Sequence, residues 1–309
     1  FALDLVPPTP AWRDAELGTS DGRFLAVSNA TGGGIAWSLR DAAGATTASG
    51  VVGGAGEAAA AATALRGASG GFVIVDERTN APTDRDVMIH VRAADGSAVA
   101  DLAIATLDDD RAPRVVALAD GGFAVVWLRA DPSGGQQQLW TAVWEADGSL
   151  RDAPHEIPTV NGANFVDVTA LQTGGYAIAT SDGAEATVRT LDAHGAVIHE
   201  SVAVVGIDDA IALLPNGYLL DLRVVWANDN FYDYTLTPYG PGETWDSWYV
   251  YGRVIDPATG AVVIDDLLRG QTAPDGLGFA AWDPAAWRSI LGGVSLSWRV
   301  DDERWGWPL

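Results

Sequence analysis

The densest chemistry in the chain lies in the segment from Ala227 to Ser247 and the residues that flank it. Six flat rings, Trp226, Tyr232, Tyr234, Tyr239, Trp245 and Trp248, are interleaved with the amides and carboxylates of Asn228, Asp229, Asn230 and Asp233. Sugar recognition needs this mixture. A ring covers the C–H face of a pyranose, and the polar groups take its hydroxyls or a cation. Large rings also pack loops onto scaffolds, so no single ring identifies a ligand. Taken together, the segment points to a binding role. Aromatics concentrate from here onward: eight of the thirteen tryptophans lie at or beyond position 226.

Clustered carboxylates are the second candidate chemistry. Asp108, Asp109 and Asp110 form one run, Asp208 and Asp209 another, and Asp265-Asp266 a third. Converging oxygens suit Ca²⁺, which takes six to eight such ligands. No EF-hand spacing is present, and in so acidic a chain solvated turns account for these runs as well. The four histidines, His90, His155, His194 and His199, have no cysteine to complete a zinc set. They read as structural or solvent-facing. No P-loop, dinucleotide fingerprint, nucleophile elbow or His-Glu-x-x-His occurs, so no organic cofactor is expected. Gly242-Glu243-Thr244-Trp245 matches only the end of a sialidase Asp-box. The serine and aspartate of that box are missing, with Pro238 and Gly240 in their places.

The elements that must position these groups are repetitive. An apolar stretch, a glycine turn and an aromatic heading a second apolar stretch recur at 65–75, 116–127, 170–179 and 212–220. Weaker copies stand at 21–27 and 291–298. The heading aromatics Phe24, Phe72, Phe123, Tyr176 and Tyr218 are spaced 48, 51, 53 and 42 residues apart. A second phrase follows in phase, with apolar alternation, an acidic residue and a glycine turn, as in Thr-Ala-Val-Trp-Glu-Ala-Asp-Gly-Ser at 141–149. The internal period is two, and Asp-Gly turns between alternating runs are the hairpin signature. Repeat three should hold strands at 114–118, 123–128, 139–145 and within 150–160.

Four antiparallel strands in each repeat of 40–50 residues is the blade of a β-propeller. The expected fold is all-β: one domain over 1–309, with repeats near 20–60, 61–110, 111–160, 161–206 and 207–270. A sixth repeat, 271–309, is completed by 1–8. Six blades are preferred, and the N-terminal strand Phe-Ala-Leu-Asp-Leu-Val would close the last one. An open solenoid or paired sandwiches are the rival architectures. Helix is tempting only at the alanine run 58–65 and at 283–290. The first-to-second and third-to-fourth strand turns are short and glycine-rich. The long, variable segments fall at the opposite strand ends, where function is expected. Both Asp108–Asp110 and Asp208–Asp209 are expected in connectors on that side, with the 227–247 insertion.

Composition narrows the partners. The chain has 309 residues, 48% hydrophobic, with 41 acidic residues against 18 basic ones, a formal charge of −23. Every basic residue is arginine. Such a field repels phosphate backbones and anionic membrane surfaces. No nucleic-acid partner and no membrane insertion are expected. The absence of cysteine excludes disulfides and thiolate sites. Acidity, 36 glycines and no cysteine fit a secreted bacterial protein. An opening at Phe1 suggests a processed chain or a piece of a longer parent with further domains.

The repeats at 116–127 and 139–148 resemble those of large secreted bacterial proteins of the RTX (haemolysin-type calcium-binding) group. The likeness runs over about 20–270. It implies an acidic, cysteine-free, exported protein, often an adhesin or surface protein. The glycine-rich nonapeptide coils of that group are missing, apart from one imperfect echo at 53–57.

Three functional readings follow. The favoured one is a non-enzymatic extracellular module that binds a carbohydrate or a cell-surface protein through the 227–247 face, with calcium as a candidate aid. The second is an assembly module of a larger surface protein or particle, with the aromatic loop as its contact. The third is a polysaccharide hydrolase or lyase working through carboxylates near Asp108–Asp110 and Asp208–Asp209.

Overall fold

A computed structural model describes residues 2–5, 15–19, 21–54, 57–66, 70–81, 83–106, 108–130, 137–158, 165–181, 185–204, 208–229, 245–272 and 295–298. Among them the chain is all β, with no helix. Its strands group into five four-stranded antiparallel sheets, each built from four consecutive strands in simple sequence order. The first sheet holds β2 (Ala15–Gly18), β3 (Phe24–Asn29), β4 (Ile35–Arg40) and β5 (Thr46–Val52). The second holds β6 (Glu57–Ala64), β7 (Phe72–Ala81), β8 (Asp84–Arg92) and β9 (Ala98–Ile104). The third holds β10 (Asp110–Ala117), β11 (Phe123–Arg129), β12 (Gln138–Trp144) and β13 (Leu150–Ile157). The fourth holds β14 (Phe165–Ala170), β15 (Tyr176–Ser181), β16 (Glu185–Leu191) and β17 (Val197–Val204). The fifth holds β18 (Asp208–Leu213), β19 (Leu219–Asp229), β20 (Trp245–Ile255) and β21 (Val262–Thr272).

Strand periodicity explains the burial. Along β4 buried positions alternate with half-buried ones. Along β11 every residue of Phe-Ala-Val-Val-Trp-Leu-Arg is buried, because a neighbouring sheet covers each face of an inner strand. The apolar clusters lie between consecutive sheets. Leu25, Val27 and Trp37 meet Phe72 and Ile74. Val73, Val75 and Ile89 meet Val125 and Trp127. Leu118, Val126 and Leu139 meet Tyr176 and Ile178. Ala177 and Val188 meet Ile211 and Leu219. The first strands run beside one another in series, β2 against β6, β6 against β10, β10 against β14 and β14 against β18.

The tight turns repeat in detail. Between the third and fourth strands, Ala93 N donates to Ser97 O and Gly96 N to Ala93 O. The same pair of bonds closes Glu145–Ser149 and Asp192–Ala196. This is a turn whose last residue adopts left-handed backbone: φ is +85° at Gly96 and +83° at Gly148. The same glycine also docks on the preceding sheet. A Cβ on Gly96 would stand 2.2 Å from the Trp37 ring, and one on Gly148 would stand 2.6 Å from Ala100 Cβ. Gly195 lies likewise against His155, and Gly260 against His199. Trp37 reaches Gly96 by crossing Gly50, where a side chain would collide with it. Gly96→Ala therefore meets both backbone strain and a collision. It should cost about 1–3 kcal/mol, read as a lowered denaturation midpoint at unchanged m-value.

Polar contacts join the tight-turn ends of successive sheets. Arg23 donates to Ala94 O at 2.6 Å, and Gln172 to Pro215 O at 3.4 Å. Arg151 bonds Glu145 and Asp120 in its own sheet and reaches Ala193 O in the next. That guanidinium holds Glu145 below the usual carboxylate range; at Asp120 burial pushes up, but Arg151 and the Gly122 N–H together more than offset it and the net shift is downward. Both carboxyls are depressed in the folded state. Their contribution is therefore present above the ordinary carboxylate range and is lost as pH falls through their folded values. In Arg151→Ala both should titrate back toward ordinary values, followed by ¹³C NMR of the carboxyl carbons.

Two expectations change, and a third is not reached. The alanine run is strand β6, since it is paired along β7 and packed at Ala61 and Ala62. The possible helix at 283–290 lies outside the described residues. The N-terminal strand β1 (Ala2–Leu5) does meet the last repeat, at β22 (Ser295–Trp298), but in parallel. In an antiparallel meander the second and fourth strands run in the same sense. Among the described residues no third strand stands between these two, so they meet directly.

Candidate functional site

The fifth sheet is built to project. β19, β20 and β21 each have 11 residues, whereas β3 and β4 have six. The extra length runs away from the tight turns, past Val224 and Val250. The register sets Trp226 opposite Trp248, Asn228 opposite Asp246, and Asp229 opposite Trp245. The insertion expected as a loop from Ala227 to Ser247 is thus partly strand, because the β-branched and aromatic run Val-Val-Trp continues the pairing of β19 with β20. Four candidate residues, Trp226, Asn228, Trp245 and Trp248, and Asp229 with them, fall on this paired ladder. Asn230, Tyr232, Asp233, Tyr234 and Tyr239 lie outside the described residues.

The Asp108–Asp110 run stands where the second sheet passes into the third, at the same end of the strands as the projecting ladder. Only Asp108 and Asp109 lie in the connector; Asp110 begins β10. Asp110 is fully buried. It accepts from Trp127 Nε1 at 2.9 Å, Arg129 Nε at 2.7 Å, Arg129 Nη2 at 3.1 Å and Thr106 Oγ1 at 2.9 Å. Asp109 takes a two-point bond from Arg85, at 2.7 and 3.0 Å, and Arg111 approaches it to 3.8 Å. Asp108 stands 3.6 Å from Arg129, whose guanidinium lies 4.0 Å over the Trp140 ring. Each carboxylate of the run thus faces an arginine. Planar, two-point partners of this kind suit arginine rather than lysine, in keeping with a chain whose only strong base is arginine.

Backbone strain marks the same place. A β-bulge separates Arg111 from Arg114, and Ala112 takes φ +50°. Its N–H donates to Glu77 Oε1 at 2.6 Å, which holds the bulge to the second sheet. Asp208 and Asp209, expected in a connector, are residues of β18, paired with Val224 and Arg223. They open β18 ahead of the apolar run Ala-Ile-Ala-Leu, and it is the backbone pairing with β19 that extends the strand back to them.

All four histidines are engaged where sheets meet or pack. His155 Nε2 lies 3.2 Å from Gly195 O, His199 Nε2 2.8 Å from Ala258 O, and His194 Nδ1 2.9 Å from Asp152. His90 is different, because it is buried among carboxylates. Its Nδ1 is 2.6 Å from Asp101 Oδ1, and its Nε2 is 2.9 Å from Asp76 Oδ1. Asp76 is fully buried, and burial pushes its carboxyl up. For His90, burial pulls down, but Asp76 and Asp101 more than offset it and the net shift is upward. Glu57 completes a group whose ligand atoms lie within 4.8 Å of one another. Sequence spacing does not expose this group, since its members come from three strands. The available signal is a charged residue, Asp76, that continues the inward register of Phe72 and Ile74.

No family model matches the chain, and no curated protein matches it. Among solved structures it is similar to a protein of unknown function from Dyadobacter fermentans, at 10% identity over 83% of this chain and 82% of that one, with a TM-score of 0.47. A mannose phosphorylase from Leishmania mexicana aligns at 13% identity over 69% of each chain, with a TM-score of 0.37. The Malassezia sympodialis allergen Mala s 1 aligns at 8% identity over 86% of this chain and 94% of that one, with a TM-score of 0.32. At these scores the likeness defines neither fold nor function. No helix among the described residues is long and apolar enough to cross a membrane.

Proposed function

We propose that the chain is a six-bladed β-propeller whose sixth blade joins the two chain ends, and that it works as a non-enzymatic binding module for carbohydrate outside the cell. The ring arrangement is supported by the serial contact of first strands and by glycine turns that dock on each preceding sheet in the same way. The binding reading rests on one observation: the longest strand pair carries tryptophans in opposed register at its far end. Opposed positions share a face of an antiparallel pair, and aromatic faces beside carboxylates and amides fit a pyranose. The repeat phrases that resemble those of RTX-group surface proteins agree with secretion.

The proposal assigns stacking to Trp226 and Trp248, with Asn228 on the same face as a hydroxyl partner; Asp229 and Trp245 are opposed on the alternate face of the ladder. It places no calcium at Asp108–Asp110, because arginines already neutralise those carboxylates. A single Trp248→Ala or Trp226→Ala change should weaken binding to a retained glycan by about thirtyfold or more, the size of a central contact at about 2 kcal/mol. Titration calorimetry with a glycan retained by the wild type reads this. Unchanged affinity in both variants removes the site.

A further inference from the structure

We propose that Glu57, Asp76 and His90 form a binding site for a first-row divalent transition ion such as Zn²⁺, with Asp101 holding the imidazole in place. The site lies in the second sheet, away from the projecting ladder, and does not depend on the carbohydrate reading. Asp76 comes from β7, His90 from β8, and Glu57 from the start of β6. Their register places them on one side of the sheet, where Glu57 pairs with Arg78 and Ile74 with His90.

The observation that points to a ligand is Asp76 itself. It is fully buried, and neither carboxylate oxygen completes a hydrogen bond. His90 Nε2 approaches one of them to 2.9 Å, yet that nitrogen also completes none. A buried carboxylate 2.9 Å from a buried ring nitrogen needs positive charge between them, which either a protonated imidazole or a bound cation supplies. Other charged groups nearby have partners elsewhere, although Arg78 Nε completes no hydrogen bond. Arg78 bonds Asp86 at 2.6 Å, and Asn80 bonds the same carboxylate at 2.8 Å. Arg92 donates to Asp101 at 2.8 Å.

The second mark is the far side of the ring. His90 Nδ1 stands 2.6 Å from Asp101 Oδ1; in the tautomer with its proton on Nδ1, that N–H donates to the carboxylate and Nε2 offers its lone pair to an ion. Metal-bound histidines take this carboxylate–imidazole arrangement, which sets both tautomer and ring orientation. One imidazole nitrogen with two carboxylates suits zinc or a neighbouring d-block ion. Calcium, which takes six to eight oxygens, does not fit. Three protein ligands leave room for water. Glu57 is half-buried and bonds Gly54 N, so it is the ligand that moves inward to close the site.

The test uses the full chain, stripped with chelator and titrated with Co²⁺ and then Zn²⁺. The expected result is one equivalent of Co²⁺ with visible d–d bands of a nitrogen- and oxygen-ligated ion, displaced by Zn²⁺. Glu57→Gln, the least buried ligand, should weaken binding at least tenfold with an unchanged circular dichroism spectrum. Asp101→Asn should weaken it about 10–100-fold as a positioning residue. Absence of the bands in the wild type overturns the proposal. So does equal Co²⁺ affinity in the wild type and Glu57→Gln, which would leave only the diffuse surface binding expected of a chain at −23. A ¹⁵N spectrum with both nitrogens of His90 protonated at pH 7.5 under saturating Zn²⁺ likewise overturns it, since the ring would then be an imidazolium between Asp76 and Asp101.

Discussion

Asp221→Ala is expected to destabilise the protein by about 3–5 kcal/mol, the cost of leaving a buried charge without its partner. Asp221 on β19 and Arg253 on β20 are both fully buried. Arg253 Nε donates to Asp221 Oδ2 at 2.9 Å, and Nη2 stands 2.8 Å from the same oxygen. Arg253 Nη1 reaches Ser201 O at 3.5 Å, so the guanidinium also spans to the fourth sheet. The double change Asp221→Leu with Arg253→Met should recover most of the loss, because apolar residues of similar volume replace a buried ion pair at little net cost. Urea denaturation of the three proteins measures both results. A loss under 1 kcal/mol in the single variant would show that the pair is solvated.

Asp110→Ala should be nearly as damaging, at about 3 kcal/mol. It removes the acceptor for Trp127, Arg129 and Thr106 together. Two features keep it below Asp221→Ala. Asp108 lies 3.6 Å from Arg129 and can turn toward it, and the Trp140 ring still faces the guanidinium at 4.0 Å. Asp108→Asn combined with Asp110→Ala should therefore cost more than the sum of the two single changes, a coupling readable in a double-mutant cycle. Strict additivity would mean that Asp108 does not share the arginine.

Much of this scaffold is legible in the chain. The expected strands of repeat three, 114–118, 123–128 and 139–145, coincide with β10, β11 and β12 within a few residues. Glycine turns mark strand ends because a left-handed residue is needed there and little else supplies it. β10 begins earlier than expected, at Asp110, because its first residues are polar. They are held by ion pairs and a bulge, which alternation does not reveal. Asp208 and Asp209 are hidden too, because β18 opens with two polar residues before its apolar run.

Alanine at 58–64 reads equally as helix or strand, and only the pairing with β7 decides it. Ion pairs such as Asp221–Arg253 join strands that are neighbours in space and distant along the chain. A one-dimensional reading of 41 acids and 18 arginines cannot match them. His90 reads as a lone structural histidine for the same cause, since Asp76 and Glu57 lie on other strands. The aromatic insertion was visible from composition, while its continuation of β19 and β20 as paired strand came only from the register.

The central claim is that the end of the fifth sheet binds carbohydrate, and a glycan array with the purified chain, run in calcium and again in chelator, tests it most directly. The account predicts retention of a restricted set of glycans, the same set in both conditions, and its disappearance in Trp248→Ala. No retained glycan in either condition would contradict it and turn the aromatic ladder into a protein contact.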